Sequence, residues 1–392
     1  MSGMTQWSRG RGALLSALVA LSALALAGCV GDDASPRNGG QDLSQLLAAE
    51  AATAFAPVTR PARLEFPRDH GPHPAHRIEW WYYTANLRGP GDEAFGVQVA
   101  LFRFALRSGT EATGWEAGQL YMAHVAISEL DGGRFHVDER LARPAAGLAG
   151  AQSEPFAAWV ETCSARGLSA GGMFPLRLSC PGRNADGEAF GLELELVADK
   201  PRVLHGEDGY SEKSDVPGGA SYYYAYTRLA ARGELQLPGR DAPVPVSGSA
   251  WYDHEWGSIG LGDEQAGWDW FSLQLDDGHE LMFFHIRDRD GRPVSQRGSL
   301  VAPDGAVRAF AEGVVDARPL RTWRSPHSGA QYPVAWRLQS DALDFSLEVH
   351  ARMDDQEMRT AVQYWEGSIR AEGHHRGRPV AGEGFLELTG YR

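Results

Sequence analysis

From Arg77 almost to the C-terminus the chain alternates apolar and polar positions with a period of two. Runs at Glu79–Leu87 and Ala94–Leu106 flank Arg88-Gly89-Pro90-Gly91-Asp92, and runs at Gly118–Leu130 and Arg134–Arg140 flank Asp131-Gly132-Gly133. Leu176–Cys180 and Glu188–Ala198 flank a turn with Asn184-Ala185-Asp186-Gly187, and Tyr222–Leu237 is a long strand or strand pair. Pro238–Pro245 is rich in Gly and Pro, after which hairpins resume around Asp276-Asp277-Gly278, Pro303-Asp304-Gly305 and Ser340-Asp341-Ala342. Gly, Asn and Asp between alternating runs are hairpin signals, because they reach turn geometries at low cost. No amphipathic helix is evident in the second half.

Two consecutive blocks of antiparallel hairpins predict an all-β chain with two β-barrels or sandwiches in tandem. The expected boundaries are a leader over 1–28, a tether over 29–64, a first β domain over 65–240 and a second over 241–392. A short amphipathic helix is expected over Asp42–Phe55, ended by Pro57 and Pro61.

The most concentrated chemistry lies in Ser249-Ala250-Trp251-Tyr252-Asp253-His254-Glu255-Trp256-Gly257. On a strand, Trp251, Asp253 and Glu255 share one face, and Tyr252, His254 and Trp256 share the other. A buried carboxylate costs several kcal/mol unless something answers it. Such a strand therefore lines a polar-apolar cavity, or ties two elements together by buried hydrogen bonds. Trp268-Asp269-Trp270 follows, with Asp269 opposed to both indoles. Tyr222-Tyr223-Tyr224 and Tyr226 offer apolar surface with polar tips, for a cavity wall or for packing.

Other clusters add less. Glu79, in His76-Arg77-Ile78-Glu79-Trp80-Trp81-Tyr82-Tyr83, is read as the structural partner of Arg77 or Arg103. His70, His73 and His76 recur every three residues, but prolines block the helix that would align them, so no metal site is expected. His374-His375 reads as a turn tip. No nucleophile elbow, phosphate loop, dinucleotide fingerprint or zincin motif is present, which leaves acid/base chemistry or binding alone.

The leader changes the expected location. Arg9 and Arg11 precede the apolar run Ala13–Ala27, which ends in Leu26-Ala27-Gly28-Cys29 and looks like a lipobox. Cys29 would then be the lipidated first residue of the mature chain, anchoring it to a membrane without spanning it. Val30 after the Cys points to the periplasmic face of the outer membrane. Without the leader, 35 basic residues face 51 acidic ones, a net charge of −16 that disfavours nucleic acid and anionic headgroups as partners. Cys163 and Cys180 are left as a disulfide across a hairpin or as two buried thiols.

His76-Arg77-Ile78-Glu79-Trp80-Trp81-Tyr82, the 249–257 stretch, Trp268-Asp269-Trp270, Tyr364-Trp365-Glu366-Gly367 and Gly390-Tyr391, in this order, resemble the AttH-like family, which includes carotenoid 1,2-hydratases. The resemblance covers roughly 65–392 and implies two lipocalin-like barrels in tandem. It implies hydration of an isolated terminal double bond without a cofactor: an acid protonates the alkene, a tertiary cation forms, and water captures it. Such chemistry needs a neutral carboxylic acid in an apolar pocket and aromatic faces for the cation. His254 and Trp256 match the family's His-x-Trp element. The Tyr-x-Asp element associated with the hydratases is missing; the corresponding hairpin reads Leu281-Met282-Phe283-Phe284-His285-Ile286.

Three roles are thus open. The first is a cofactor-independent hydro-lyase, isomerase or cyclase on an unsaturated isoprenoid or lipid. Asp253 or Asp269 would be its acid and His254 its acid/base or orienting group, with Trp251, Tyr252, Trp256, Trp268, Trp270 and Tyr223 against the substrate. The second is a lipid-anchored carrier of an apolar ligand. The third is a purely structural staple between the two domains.

Overall fold

The computed structural model describes residues 41–42, 55–108, 114–169, 171–214, 218–258, 261–262 and 264–391. The leader, Cys29 and nearly all of the helix expected over Asp42–Phe55 lie outside them. Among the described residues the chain is all-β, with short 3-10 turns at Arg68–His70, Pro90–Asp92 and Ala145–Gly147.

The strands of the first half follow a two-residue β1 (Gln41–Asp42). They are β2 (Ile78–Arg88), β3 (Ala94–Ala105), β4 (Gln119–Glu129), β5 (Arg134–Ala142), β6 (Ala149–Gln152), β7 (Ala157–Val160), β8 (Cys163–Gly167), β9 (Leu176–Arg183), β10 (Ala189–Ala198), β11 (Val203–Leu204), β12 (Tyr210–Glu212), β13 (Ala220–Gln236) and β14 (Val244–Gly257). The second half holds β15 (Gln265–Leu275), β16 (Glu280–Asp288), β17 (Pro293–Val301), β18 (Val307–Phe310), β19 (Asp316–Arg324), β20 (Gln331–Ser340), β21 (Phe345–Ala351), β22 (Glu357–Met358), β23 (Val362–His375) and β24 (Arg378–Leu388).

These form two sheets. The first runs β5-β4-β3-β2-β14-β13-β10-β9-β8-β7-β6, with β11 and β12 on β13. The second runs β18-β17-β16-β15-β24-β23-β21-β20-β19, with β22 and β1 on β23. Apart from the parallel β1–β23 pair, each is a lipocalin-like antiparallel sheet curled around its own apolar interior. Trp81, Leu101, Ile127, Leu178 and Leu235 fill the first, and Phe271, Phe283, Trp336, Leu347 and Leu386 fill the second.

The boundary expected at residue 240 is displaced. Pro238–Pro245 is a hairpin connection inside the first sheet, because β14 pairs with both β13 and β2. The chain passes to the second sheet between Gly257 and Gln265. A Gly/Pro-rich hairpin turn and a linker have the same composition, so the sequence does not distinguish them. The tether also ends earlier than residue 64, since Phe55 and Val58 are buried against the fold.

A third apolar cluster lies between the sheets, built from residues such as Tyr82, Phe102, Tyr223, Trp251, Trp270 and Phe284. This explains the buried-throughout pattern of β2 and β3, whose two faces serve an interior and an interface. Polar ties reinforce it: Asn86 Nδ2 donates to Gly384 O at 3.2 Å, and Glu280 takes Lys200 Nζ at 2.8 Å and Arg228 Nε at 2.6 Å. Gly96 permits the close approach of β3 and β23, because a Cβ there would lie 2.9 Å from Ser368 Cβ. Cys163 and Cys180 are joined in a disulfide linking β8 to β9.

Candidate active site

Alternation along β14 sends Trp251, Asp253 and Glu255 toward the second sheet, and Tyr252, His254 and Trp256 into the first interior. Directly opposed residues of antiparallel neighbours share a face. Tyr82 and Tyr223 therefore join Asp253 and Glu255, which they oppose respectively. On the second sheet, Trp270 opposes Glu387 and Phe284. These two faces enclose a cavity of about 120 Å³ whose wall includes Trp80, Phe102, Trp268, Ile286 and Tyr364.

Asp253 is 2% exposed. Its Oδ2 accepts the Trp251 indole N–H at 2.9 Å, and its Oδ1 accepts the Tyr223 hydroxyl at 3.0 Å. The Trp270 indole donates to the same hydroxyl oxygen at 3.2 Å. Burial pushes the Asp253 carboxyl well above the usual range, and its two donors offset this only in part. Burial thus favours the proton-bearing form of Asp253, and its conjugate base has donors already in place. The nearby cation Lys213 is committed to Glu255, 2.8 Å away.

The facing wall holds a further acid, Glu387, and Glu366 lies behind Tyr82. Glu366 and Glu387 oppose each other on β23 and β24. Glu387 accepts the Trp268 indole N–H at 3.0 Å, and burial raises it to about 7. Glu366 accepts the Tyr82 hydroxyl at 2.6 Å; burial, then the charge of Glu387, hold it well above its ordinary value.

Of the expected residues, Asp253, Tyr223, Trp268 and Trp270 line the cavity, and Trp251 bonds Asp253 from beside it. Tyr252, His254 and Trp256 do not, because strand alternation turns them into the first interior. There His254 Nε2 meets Glu79 Oε1 at 2.9 Å, and its Nδ1 accepts the Tyr224 hydroxyl at 3.1 Å. Burial lowers His254 to about 4. Glu79 also holds His73 Nδ1 at 2.7 Å and Arg103 Nε at 2.7 Å, and Trp256 stacks on His73. Burial opposes ionisation of Glu79, but the charges of His73 and Arg103 prevail and keep it well below its ordinary value. Its expected structural pairing is thus with Arg103.

Asp269 likewise leaves the cavity. It lies in the second interior, bonded to His285 Nε2 at 2.5 Å, Arg287 Nε at 3.0 Å and the Tyr391 hydroxyl at 2.9 Å. Burial opposes its charge, but Arg287 and His285 hold its carboxyl below the usual range. Asp253, His254 and Asp269 therefore occupy three compartments, and only Asp253 meets the cavity. At the hairpin lacking Tyr-x-Asp, Phe284 faces the cavity and His285 faces Asp269.

Among the described residues, two groups could offer a metal three ligand atoms within 4.8 Å of one another: His73, Glu79 and His254, and Asp277, His279 and His375. In the first, Arg103 already holds the carboxylate. Glu387, Glu366, Tyr364 and Lys213 were not foreseen as site residues. The available signal for the two glutamates was an acid beside aromatic or aliphatic neighbours in Tyr364-Trp365-Glu366 and Phe385-Leu386-Glu387.

The AttH-like family profile matches residues 57–391. No curated protein matches the chain. Among solved structures, an AttH protein from Nitrosomonas europaea is 34% identical, with 86% of this chain and 100% of that one covered and a TM-score of 0.75. Kievitone hydratase from Nectria haematococca is 16% identical, with 86% and 98% covered and a TM-score of 0.63, a likeness of fold.

Proposed function

The chain belongs to the AttH-like family, and on that premise we propose that it binds an apolar, unsaturated molecule in the inter-sheet cavity and adds water to its terminal double bond. The observation that carries this reading is Asp253: a buried acid at the wall of an aromatic cavity, bonded to no cation among the described residues, where burial favours its proton-bearing form. In the proposed reaction the Asp253 proton forms a C–H bond at the less substituted alkene carbon. The tertiary cation left behind meets the faces of Trp268, Trp270 and Phe284. Water then forms the C–O bond and loses a proton. The Tyr223 and Trp251 donors hold the carboxylate that Asp253 becomes. The cavity volume suits the end of a long isoprenoid rather than its full length.

Purified protein is incubated with squalene, whose ends are trisubstituted alkenes, in water labelled with oxygen-18. The expected product is a labelled tertiary alcohol, absent with Asp253→Asn. Alcohol formation unchanged by that substitution would remove Asp253 from the mechanism. The missing Tyr-x-Asp favours a second reading, in which the cavity carries an apolar ligand unaltered. Squalene retained by the protein and recovered without label would support it. In either case a lipid on Cys29 would hold the cavity close to its apolar supply at the outer membrane.

A further inference from the structure

We propose that Tyr364, His124 and Glu139 form a proton path from the cavity to the surface, and that the water captured in the reaction is held beside Tyr364. This rests on the hydration reading above. The Tyr364 hydroxyl lies 2.8 Å from His124 Nδ1, and His124 Nε2 lies 2.9 Å from Glu139 Oε2. His124 and Glu139 are directly opposed on β4 and β5, while Tyr364 comes from β23 of the other sheet. Tyr364 is in the cavity wall and His124 is fully buried. The Glu139 side chain is 22% exposed, so the series ends at solvent.

The partners fix the direction of transfer. A carboxylate can only accept, so His124 places its proton on Nε2. Nδ1 then presents a lone pair to the Tyr364 O–H. This is the orienting-acid, imidazole, hydroxyl order of hydrolytic triads, with a phenol at the cavity end. Burial raises the Tyr364 phenol well above its ordinary value, so it works as a shuttle that releases its proton only as it gains another. Among the described residues, Gln98 Oε1 and Glu366 Oε2, two buried acceptors in the same region, have no hydrogen-bond partner. Gln98 lines the cavity and its Nε2 lies 3.5 Å from the Tyr364 hydroxyl. A water there would donate to Gln98 Oε1 and to Tyr364.

The step balances. Water oxygen bonds the tertiary carbon. Its proton passes to Tyr364 Oη while the Tyr364 proton passes to His124 Nδ1, leaving an imidazolium against Glu139. The imidazolium gives its Nε2 proton to solvent by way of Glu139; a solvent proton then returns along the same path to Nε2, and the Nδ1 proton passes back through Tyr364 and cavity water to Asp253. The net change is alkene plus water to alcohol.

Tyr364 would touch the reacting water; His124 and Glu139 act through it and are positioning residues. The test uses the full chain with squalene in doubly labelled water, following deuterium in recovered alkene and oxygen-18 in alcohol. With Tyr364→Phe or Glu139→Gln, alcohol should fall by about a hundredfold, while deuterium exchange driven by Asp253 persists. A structural defect would lower both labels together, and that outcome overturns the proposal. Wild-type levels of alcohol in both variants overturn the path and leave the hydration reading standing. Neither label in the wild type overturns hydration itself. The path is then judged on nitrogen-15 histidine spectra and a high-resolution crystal structure. A His124 proton on Nε2 and an ordered water between Tyr364 and Gln98 support it; a proton on Nδ1, or no such water, overturns it.

Discussion

Asp253 and His254 are adjacent in the chain and chemically separate. Asp253 meets the Tyr223 hydroxyl at 3.0 Å beside the cavity, whereas His254 meets Glu79 at 2.9 Å inside the first sheet. One peptide bond places them on opposite faces of β14. The acid has neutral hydrogen-bond donors and the imidazole has a carboxylate, so their substitutions should have different consequences.

Asp253→Asn removes the transferable proton but keeps the size of the side chain and an acceptor for its neighbours. Labelled alcohol should fall by about a hundredfold or more while the unfolding midpoint barely moves. In the wild type, turnover should fall as pH rises through the raised Asp253 value, because only the protonated form can donate. A pH–rate profile checks the sign.

His254→Ala should act through stability rather than chemistry, and Glu79→Gln more strongly. Removing the Glu79 charge leaves the buried Arg103 without its counter-ion, an expected loss of about 3–5 kcal/mol in urea unfolding. Glu79 is held below its ordinary value, so its contribution is present at neutral pH and is lost as pH falls through the depressed value.

Glu387 has the reverse sign. Burial raises it from 4.5 to about 7, so the folded chain holds this proton more tightly than the unfolded one. Its favourable contribution is complete below the unfolded value and is lost as pH rises to about 7. Glu387→Gln should flatten the fall in urea midpoint over that window, by no more than about 3 kcal/mol.

The Cys163–Cys180 bridge closes a loop of sequence separation 17 between β8 and β9. Opening it frees the unfolded chain more than the folded one, and reduction should cost about 3 kcal/mol. Thermal unfolding with and without reductant measures this; equal midpoints would mean that the two thiols are not joined in solution.

Much of the architecture was legible because period-two alternation and Asp-Gly turns are local signals. The split of 249–257 into two faces followed from the same geometry. What did not follow was which face opens on a cavity. Asp253 and His254 both lie among aromatics, and only the second sheet, docking against one side of β14, separates them. Asp269 failed for the same reason, since its flanking indoles face the cavity and it does not. Glu387 and Tyr364 reach the cavity through pairings of β24 and β23 more than a hundred positions from Asp253, a distance over which alternation carries no register. The resemblance to the AttH-like family supplied the architecture and the location of the cluster. It also drew His254 and Trp256 into a site that they support from the first interior without entering.

The opposing faces of the two sheets together make the cavity, with Gly96 against Ser368 and Glu280 gripped by Lys200 and Arg228 as fixed points of their docking. Neither half owns a complete chamber. Its dimensions are therefore adjustable from a distance: a bulkier residue at Gly96 or a loosened grip on Glu280 would reset the fit for a guest while every group that touches the guest stays the same.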